Sequence, residues 1–196
     1  MSTISPENSL LLQCLATTSL LAELSNANFL RSEYFNNLKF GNESIKKILV
    51  TSGIGNPATM QIMLYALLIV PKELLSKDEY GLLESNISEL NPIVYKIIEE
   101  GTYSTYEGEN NCRNIDYIRH IRNAVAHSNC KYISENGKNF VVFKDEDNRN
   151  RKGKRNGKGL LKECSIKIDC YKIGSFLMKL QEFIMKHYVQ TQLKCS

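Results

Sequence analysis

The chain contains no stretch apolar enough to span a bilayer and no cysteine pattern that would staple it or bind a metal. Its longest apolar run, Ile62 to Val70, falls far short of the ~18 residues a spanning helix takes. The opening MSTISPENSLLLQ has no basic stretch before its leucines, so it does not read as an export signal. Cys14, Cys112, Cys130, Cys164, Cys170 and Cys195 show no Cys-x-x-Cys spacing and no histidine at ligand distance. This leaves neither a zinc site nor a disulfide framework. Gly53-Ile54-Gly55 lacks the third glycine of a dinucleotide fingerprint and the Lys-Ser/Thr of a phosphate loop, so it reads as an ordinary turn. No internal repeat divides the sequence. A single cytoplasmic domain over 1–196 is expected, long enough to bury about 70% of its unfolded surface.

Acidic residues are missing from one place in particular. Between Asn148 and Lys162 stand Arg149, Arg151, Lys152, Lys154, Arg155, Lys158 and Lys162 with no Asp or Glu. The formal net charge is +4, so this one stretch accounts for the basic balance of the whole chain. Its glycines and asparagines offer too little apolar surface to order it. It is therefore expected to be a mobile basic loop suited to phosphate.

What the sequence does contain is mostly helical punctuation. Leucines recur at helical spacing from Leu10 to Leu24 behind Ser5-Pro6. A second apolar pattern runs from Asn26 to Phe40 and stops at Gly41, and Ser44 to Val50 suggests a further short helix. Asn56-Pro57 opens a helix to Val70 that is apolar almost all round, hence central, with Pro71 ending or kinking it. Ser76 and Glu79 form a capping box, and Asn91-Pro92 opens a helix through Glu100. After Asn129 the period changes to two. Lys131 to Ser134 and Phe140 to Phe143 flank Asn136-Gly137, a hairpin signal, and Cys164 to Ile168 supplies a third strand. Asp169 caps a last helix, Cys170 to Gln192. The expected fold is mainly α, a helical bundle with a small antiparallel β-sheet inserted over 131–168, before the C-terminal helix, and carrying the basic loop 148–162.

The stretch most charged with chemistry is Ile115 to Asn129. Ile115, Ile118, Ile121 and Val125 mark one buried helical face. Asp116, His120, Asn123 and His127 lie within about 60° of one another on an ideal wheel and form a polar seam. The seam reads either as a solvated face that happens to hold histidines or as a site, because these groups exchange protons or hydrogen-bond near neutral pH.

Arg122-Asn123-x-x-x-His127 resembles the Arg, polar, spacer, His signature of the HEPN superfamily. HIRNAVAH followed by a short β segment, and preceded by GNPATMQIMLYALLIVPKELL, is similar to its plasmid-encoded p136-type branch from about Gly53 to the C-terminal helix. The resemblance implies a HEPN-like helical domain and metal-independent endoribonuclease activity of toxin or phage-defence type. The RNA would be left with a 2′,3′-cyclic phosphate in a cleft shared by a homodimer through the central helix, with no cofactor. It assigns proton transfer to His127, phosphate binding to Arg122 and an orienting role to Asn123. Asp116, Arg119 and His120 would support them, and Arg149, Arg151, Lys152, Lys154, Arg155 and Lys158 would hold RNA. A nucleotidyltransferase-type antitoxin is the partner such toxins often have. A catalytically silent HEPN domain that binds RNA, nucleotide or a partner protein stays open beside it. The wheel sets Arg122 about 140° from His127 and Arg119 only about 80° away, so the motif pair must reach round the helix.

Overall fold

The computed structural model describes residues 6–104, 112, 115–146 and 163–189. Ser5, the basic segment 148–162 and residues 190–192 lie outside the described residues, and so do the expectations attached to them.

Helix α1 (Pro6–Asn26) carries Leu11 and Leu15 into the core. A 3-10 turn (Phe29–Arg31) and α2 (Glu33–Asn37), capped by Ser32, fill the second apolar pattern in two pieces rather than one helix. The break lies at Asn28, whose backbone is left-handed (φ 53). Helix α3 (Glu43–Ser52) follows, capped by Asn42. Helix α4 (Pro57–Leu64) is capped by Asn56, whose side chain accepts from the Thr59 N–H at 3.1 Å.

Pro71 does not end this helix. A π turn over Tyr65–Ile69, closed by the Val70 N–H on the Tyr65 carbonyl, leads directly into α5 (Val70–Leu74). A proline in an α-helix clashes with the carbonyl four residues back, and the wider turn just ahead of Pro71 takes up that misfit. Helix α6 (Lys77–Ser88) begins with the expected capping box of Ser76 and Glu79.

Helix α7 (Asn91–Ile97) stops three residues short of the expected Glu100, because strand β1 (Ile98–Ser104) begins there. The helical preference of Glu99 and Glu100 yields to pairing. β1 is antiparallel to β4, with a bulge between Ile98 and Glu100, and Glu100 meets Lys167 at 3.0 Å. Gly101 leaves room for the Tyr103 ring, which folds back over it; a Cβ there would sit 2.0 Å from the Tyr103 hydroxyl, and the ring would have to turn aside.

Helix α8 (Tyr117–Ala126) separates β1 from β2 (Cys130–Glu135), β3 (Lys138–Glu146) and β4 (Glu163–Asp169), and α9 (Cys170–Ile184) closes the described chain with a π turn over Met185–Val189. The sheet is antiparallel in the order β1-β4-β3-β2, so it takes one strand from before the central helix and is not solely an insertion after it. Val141, Phe143, Cys164, Ile166 and Ile168 line its buried face, matching the period of two. Asp169 caps α9 as expected, accepting from the Tyr171 N–H at 2.8 Å. Leu67, Leu83, Val94, Ile121, Phe176, Leu177 and Leu180 complete one core shared by helices and sheet. Among the described residues no single helix is long and apolar enough to cross a membrane.

The β2–β3 hairpin turns on Asn136 (φ 52) and Gly137 (φ 75), the two left-handed positions that a two-residue hairpin loop needs. Gly137→Ala is expected to cost about 1–2 kcal/mol, read from urea unfolding with an unchanged m-value.

Candidate functional site

Helix α8 is fixed at both ends. At its start Asp116 caps the helix by accepting from the Arg119 N–H at 3.2 Å. Asn91 of α7 donates to Asp116 Oδ1 at 3.0 Å and accepts from the Ile118 N–H at 2.9 Å. Tyr95 stacks on Tyr117 with ring centres 6.0 Å apart. At its end His127 is the C-cap. Beyond it Ser128 is left-handed (φ 56). The Ser128 N–H reaches the Val125 carbonyl at 3.2 Å and the Asn129 N–H reaches the Ala124 carbonyl at 2.8 Å. This is a Schellman closure with serine where glycine is usual. The Lys144 N–H then donates to the Asn129 carbonyl at 3.0 Å and ties the end of α8 to β3.

Between these ends the polar seam is not a solvated face. His120 is 4% exposed, and its Nδ1 lies 2.7 Å from Asp145 Oδ2 on β3. Asn123 donates to the same oxygen at 3.0 Å. A carboxylate only accepts, so the imidazole must carry its proton on Nδ1, and the Asn123 amide is oriented with its carbonyl oxygen away from Asp145. That oxygen faces Arg122 Nη2 at 3.4 Å. Burial pushes the Asp145 carboxyl up, but the bonds from His120 and Asn123 and the charges of His120 and Arg119 outweigh it and hold the group below its ordinary range.

Arg122 points the other way, toward α6. It is 9% exposed. Its Nη1 donates to the Tyr80 hydroxyl at 2.6 Å and to a Glu84 carboxylate oxygen, and the guanidinium lies 5.9 Å from the centre of the Tyr80 ring. Burial pulls its pKa down, yet the Glu84 bond and the neighbouring Tyr80 and Glu84 charges raise it overall, so the buried cation stays charged. Tyr80, Glu84, Ser88, Asp116, Arg119 and Arg122 bound a recess of about 20 Å³ over Leu67, Leu68 and Pro71. That is room for one water and not for a nucleotide.

The structure therefore joins Asp145, His120, Asn123, Arg122, Tyr80 and Glu84 into a polar string running from β3 across α8 to α6. Asp116 serves as cap, and Arg119 lines the recess. His127 stands apart, exposed at the C-cap. Among the described residues no hydrogen bond or ion pair joins it to Arg122, in keeping with their angular separation on the helix. Asp145 of β3 lies over His120 and Asn123, and of the segment Ile115 to Asn129 only Ala126 to Asn129 are exposed. Arg149, Arg151, Lys152, Lys154, Arg155 and Lys158 lie outside the described residues. Sequence reasoning missed Tyr80, Glu84 and Asp145, which carry no motif of their own. Among the described residues no group of three His, Cys, Asp or Glu side chains is placed to share a metal ion.

The described chain is mainly helical with a small antiparallel sheet, and its central helix carries the Arg-Asn-x3-His pattern. The sequence model of the family described as HEPN pEK499 p136 matches residues 1–191, and the chain belongs to that family. No curated protein matches the chain, and no solved structure does.

The Asp145 bonds make stability depend on acidity. The folded carboxyl titrates below its ordinary 3.8. Its contribution is therefore present in full above that value and is lost as pH falls through the lower folded value. Asp145→Asn is expected to lower stability at neutral pH and to reduce the further loss between about pH 5 and pH 3, compared by urea unfolding across that range.

Proposed function

We propose that this HEPN protein is a metal-independent endoribonuclease of the toxin or phage-defence kind, with its active site shared between two copies. The observation that carries the reading is the placement of His127. It is the exposed last residue of a helix otherwise inside the protein, its ring is held by no other described side chain, and Arg122 and Asn123 lie little more than one turn behind it. An exposed imidazole fixed by its backbone contributes little to packing and is open to substrate.

Cutting RNA requires a base to take the 2′-hydroxyl proton, an acid to protonate the departing 5′-oxygen, and a cation against the charge gathering on phosphorus. The 2′-oxygen attacks the adjacent phosphate, the bond to the 5′-oxygen breaks, and a 2′,3′-cyclic phosphate remains. One His127 performs one proton transfer at a time, so the His127 of a second copy supplies the other. Arg122 supplies the guanidinium that matches phosphate with two parallel bonds. It reaches substrate only by leaving Glu84, so the phosphate and that carboxylate compete for one cation. Asn123, held by Asp145, steadies Arg122. The cations Arg149, Arg151, Lys152, Lys154, Arg155 and Lys158 draw the strand in, whatever its sequence.

His127→Ala is expected to slow RNA cleavage in EDTA by about 10²–10⁴-fold, with the melting temperature unchanged. His120→Ala, which strips a bond from a part-buried carboxylate, is expected instead to cost about 1–3 kcal/mol of stability. A His127→Ala protein that cuts at the wild-type rate, beside a folded His120→Ala that does not cut, would move the proton transfer to His120. Neutralising Arg151, Lys152, Lys154 and Arg155 together is expected to weaken RNA binding and to flatten its salt dependence by about 0.7 for each phosphate no longer neutralised. The cleavage rate at saturating RNA should hold, and an unaltered salt slope would remove the loop from the RNA path.

A further inference from the structure

The sheet has one face inside the protein and one outside. Val141, Phe143 and Asp145 of β3 point inward, and α8 lies on that side through the Asp145 bonds to His120 and Asn123. Strand alternation puts Lys131, Ile133, Phe140, Val142, Lys144 and Lys167 on the other face. None of these six is buried.

Charge on the outer face is neutralised at one place and left open at another. Lys167 is held between Glu100 and Glu135 and lies over the Phe140 ring. Lys131 and Lys144 are exposed, and among the described residues neither ammonium meets a carboxylate. Their partners in register, Val142 and Ser165, carry no charge. The acids beyond Lys144, Glu146 and Glu163, stand opposite each other and have contacts of their own. Lys131 has an ordinary reason to be there, because β2 is an edge strand and a lysine on an edge discourages pairing with another chain. Lys144 has no such reason, since β3 has a strand on either side.

The register brings these two lysines together and sets them beside His127. Lys131 pairs with Val142, so Lys144 lies diagonally across from it on the same face, about 7–8 Å away. The Lys144 N–H is bonded to the Asn129 carbonyl, and Ser128 alone separates Asn129 from His127. Two residues span at most about 7 Å and paired residues lie about 5.5 Å apart, so the backbones of Lys144 and His127 are within about 13 Å.

We infer that Lys131 and Lys144 hold the phosphates of a single RNA strand that runs from His127 over the rim of the sheet onto its outer face. Two cations without an anion stand in series beside an exposed imidazole, and a chain of phosphates is the polyanion that matches such a row. Val142, half-buried beside them, gives the ribose and base an apolar floor. The strand is single, because internal attack by the 2′-oxygen needs a backbone free to turn into line with the departing 5′-oxygen. The inference rests on the nuclease reading for what happens at His127 and not for the binding itself.

The test is binding of the full chain to a labelled single-stranded 2′-O-methyl oligoribonucleotide, which cannot be cut, across a range of salt. Lys131→Gln and Lys144→Gln are each expected to lower the salt slope by about 0.7 and to weaken binding about fivefold at about 0.1 M salt. Lys138→Gln makes the same charge change on the same face, opposite Glu135 and about 20 Å along β3 from Lys144. It is expected to leave affinity and slope as they are, and Lys131→Arg and Lys144→Arg are expected to retain binding. With cleavable RNA in EDTA, the two rim variants should raise KM and leave kcat unchanged. An equal loss in Lys138→Gln overturns the inference, as does an unchanged salt slope in both rim variants. Wild-type protein that binds oligoglutamate in place of the oligonucleotide overturns it too, and assigns the rim to an acidic protein segment. If Lys144→Gln shifts the urea midpoint, Lys131→Gln decides by the same criterion. An oligonucleotide held through Lys131 and Lys144 by a protein that never cuts RNA leaves the track standing and removes the nuclease. Cleavage with KM untouched by either rim variant does the reverse.

Discussion

A guanidinium and an imidazole cannot be taken out of water alone, and α8 carries one of each into the interior. Removing a partner from a buried charge costs about 3–5 kcal/mol, so the rest of the fold is arranged to supply partners from two sides. Glu84 and Tyr80 come from α6 for Arg122, and Asp145 comes from β3 for His120. The helical layer and the sheet are thus held in register on α8 by polar contacts as well as by Ile118, Ile121 and Val125. Asn123 links the two halves, with one end of its amide on Asp145 and the other toward Arg122. A change on one side of the helix has a physical route to the other.

This arrangement also separates two kinds of histidine. His120 is locked by a carboxylate, and its proton is fixed on Nδ1. Among the described residues His127 is fixed only through its backbone, by the closure at Ser128 and Asn129, and it is exposed. The Arg-Asn-x3-His signature therefore spans two environments, a buried anchor and an exposed end, and the distance between them is set by little more than one turn of helix.

Much of this is legible in the sequence because it is local. Caps at Asn56, Ser76 and Asp169, the Asn136-Gly137 turn and the strand alternation in Val141 to Phe143 are each determined by a few neighbours, and each stands where expected. The departures have a common cause in contacts from far along the chain. Ile98 to Glu100 have helical preference but gain a strand partner in β4, where Lys167 stands 67 residues beyond Glu100. The seam on α8 can pass for a solvated face because a wheel shows which residues share a face and says nothing about what lies over it. Here β3 lies over one face and α6 over another. Glu84 stands 38 residues from Arg122 and Asp145 25 from His120, with no local pattern to reveal either. Pro71 reads as a stop or a kink because nothing in the residue types announces a π turn ahead of it.

That π turn has a consequence for which changes the chain can survive. It holds one residue more than an α turn over the same rise, and the wide turn absorbs that residue without shifting the phase between α4 and α5. Deleting any single residue from Tyr65 to Ile69 would let α hydrogen bonding resume with the flanks still in phase, because four α residues sweep about the 400° that the five residues of the wide turn sweep. Met60, Met63 and Leu64 would stay on the buried side. A residue lost from the α-helical parts on either side, where no wide turn absorbs the change, would instead rotate one flank by about 100° against the other. Between Asn56 and Leu75 a change of length by one residue is therefore tolerable within Tyr65 to Ile69 and disruptive elsewhere.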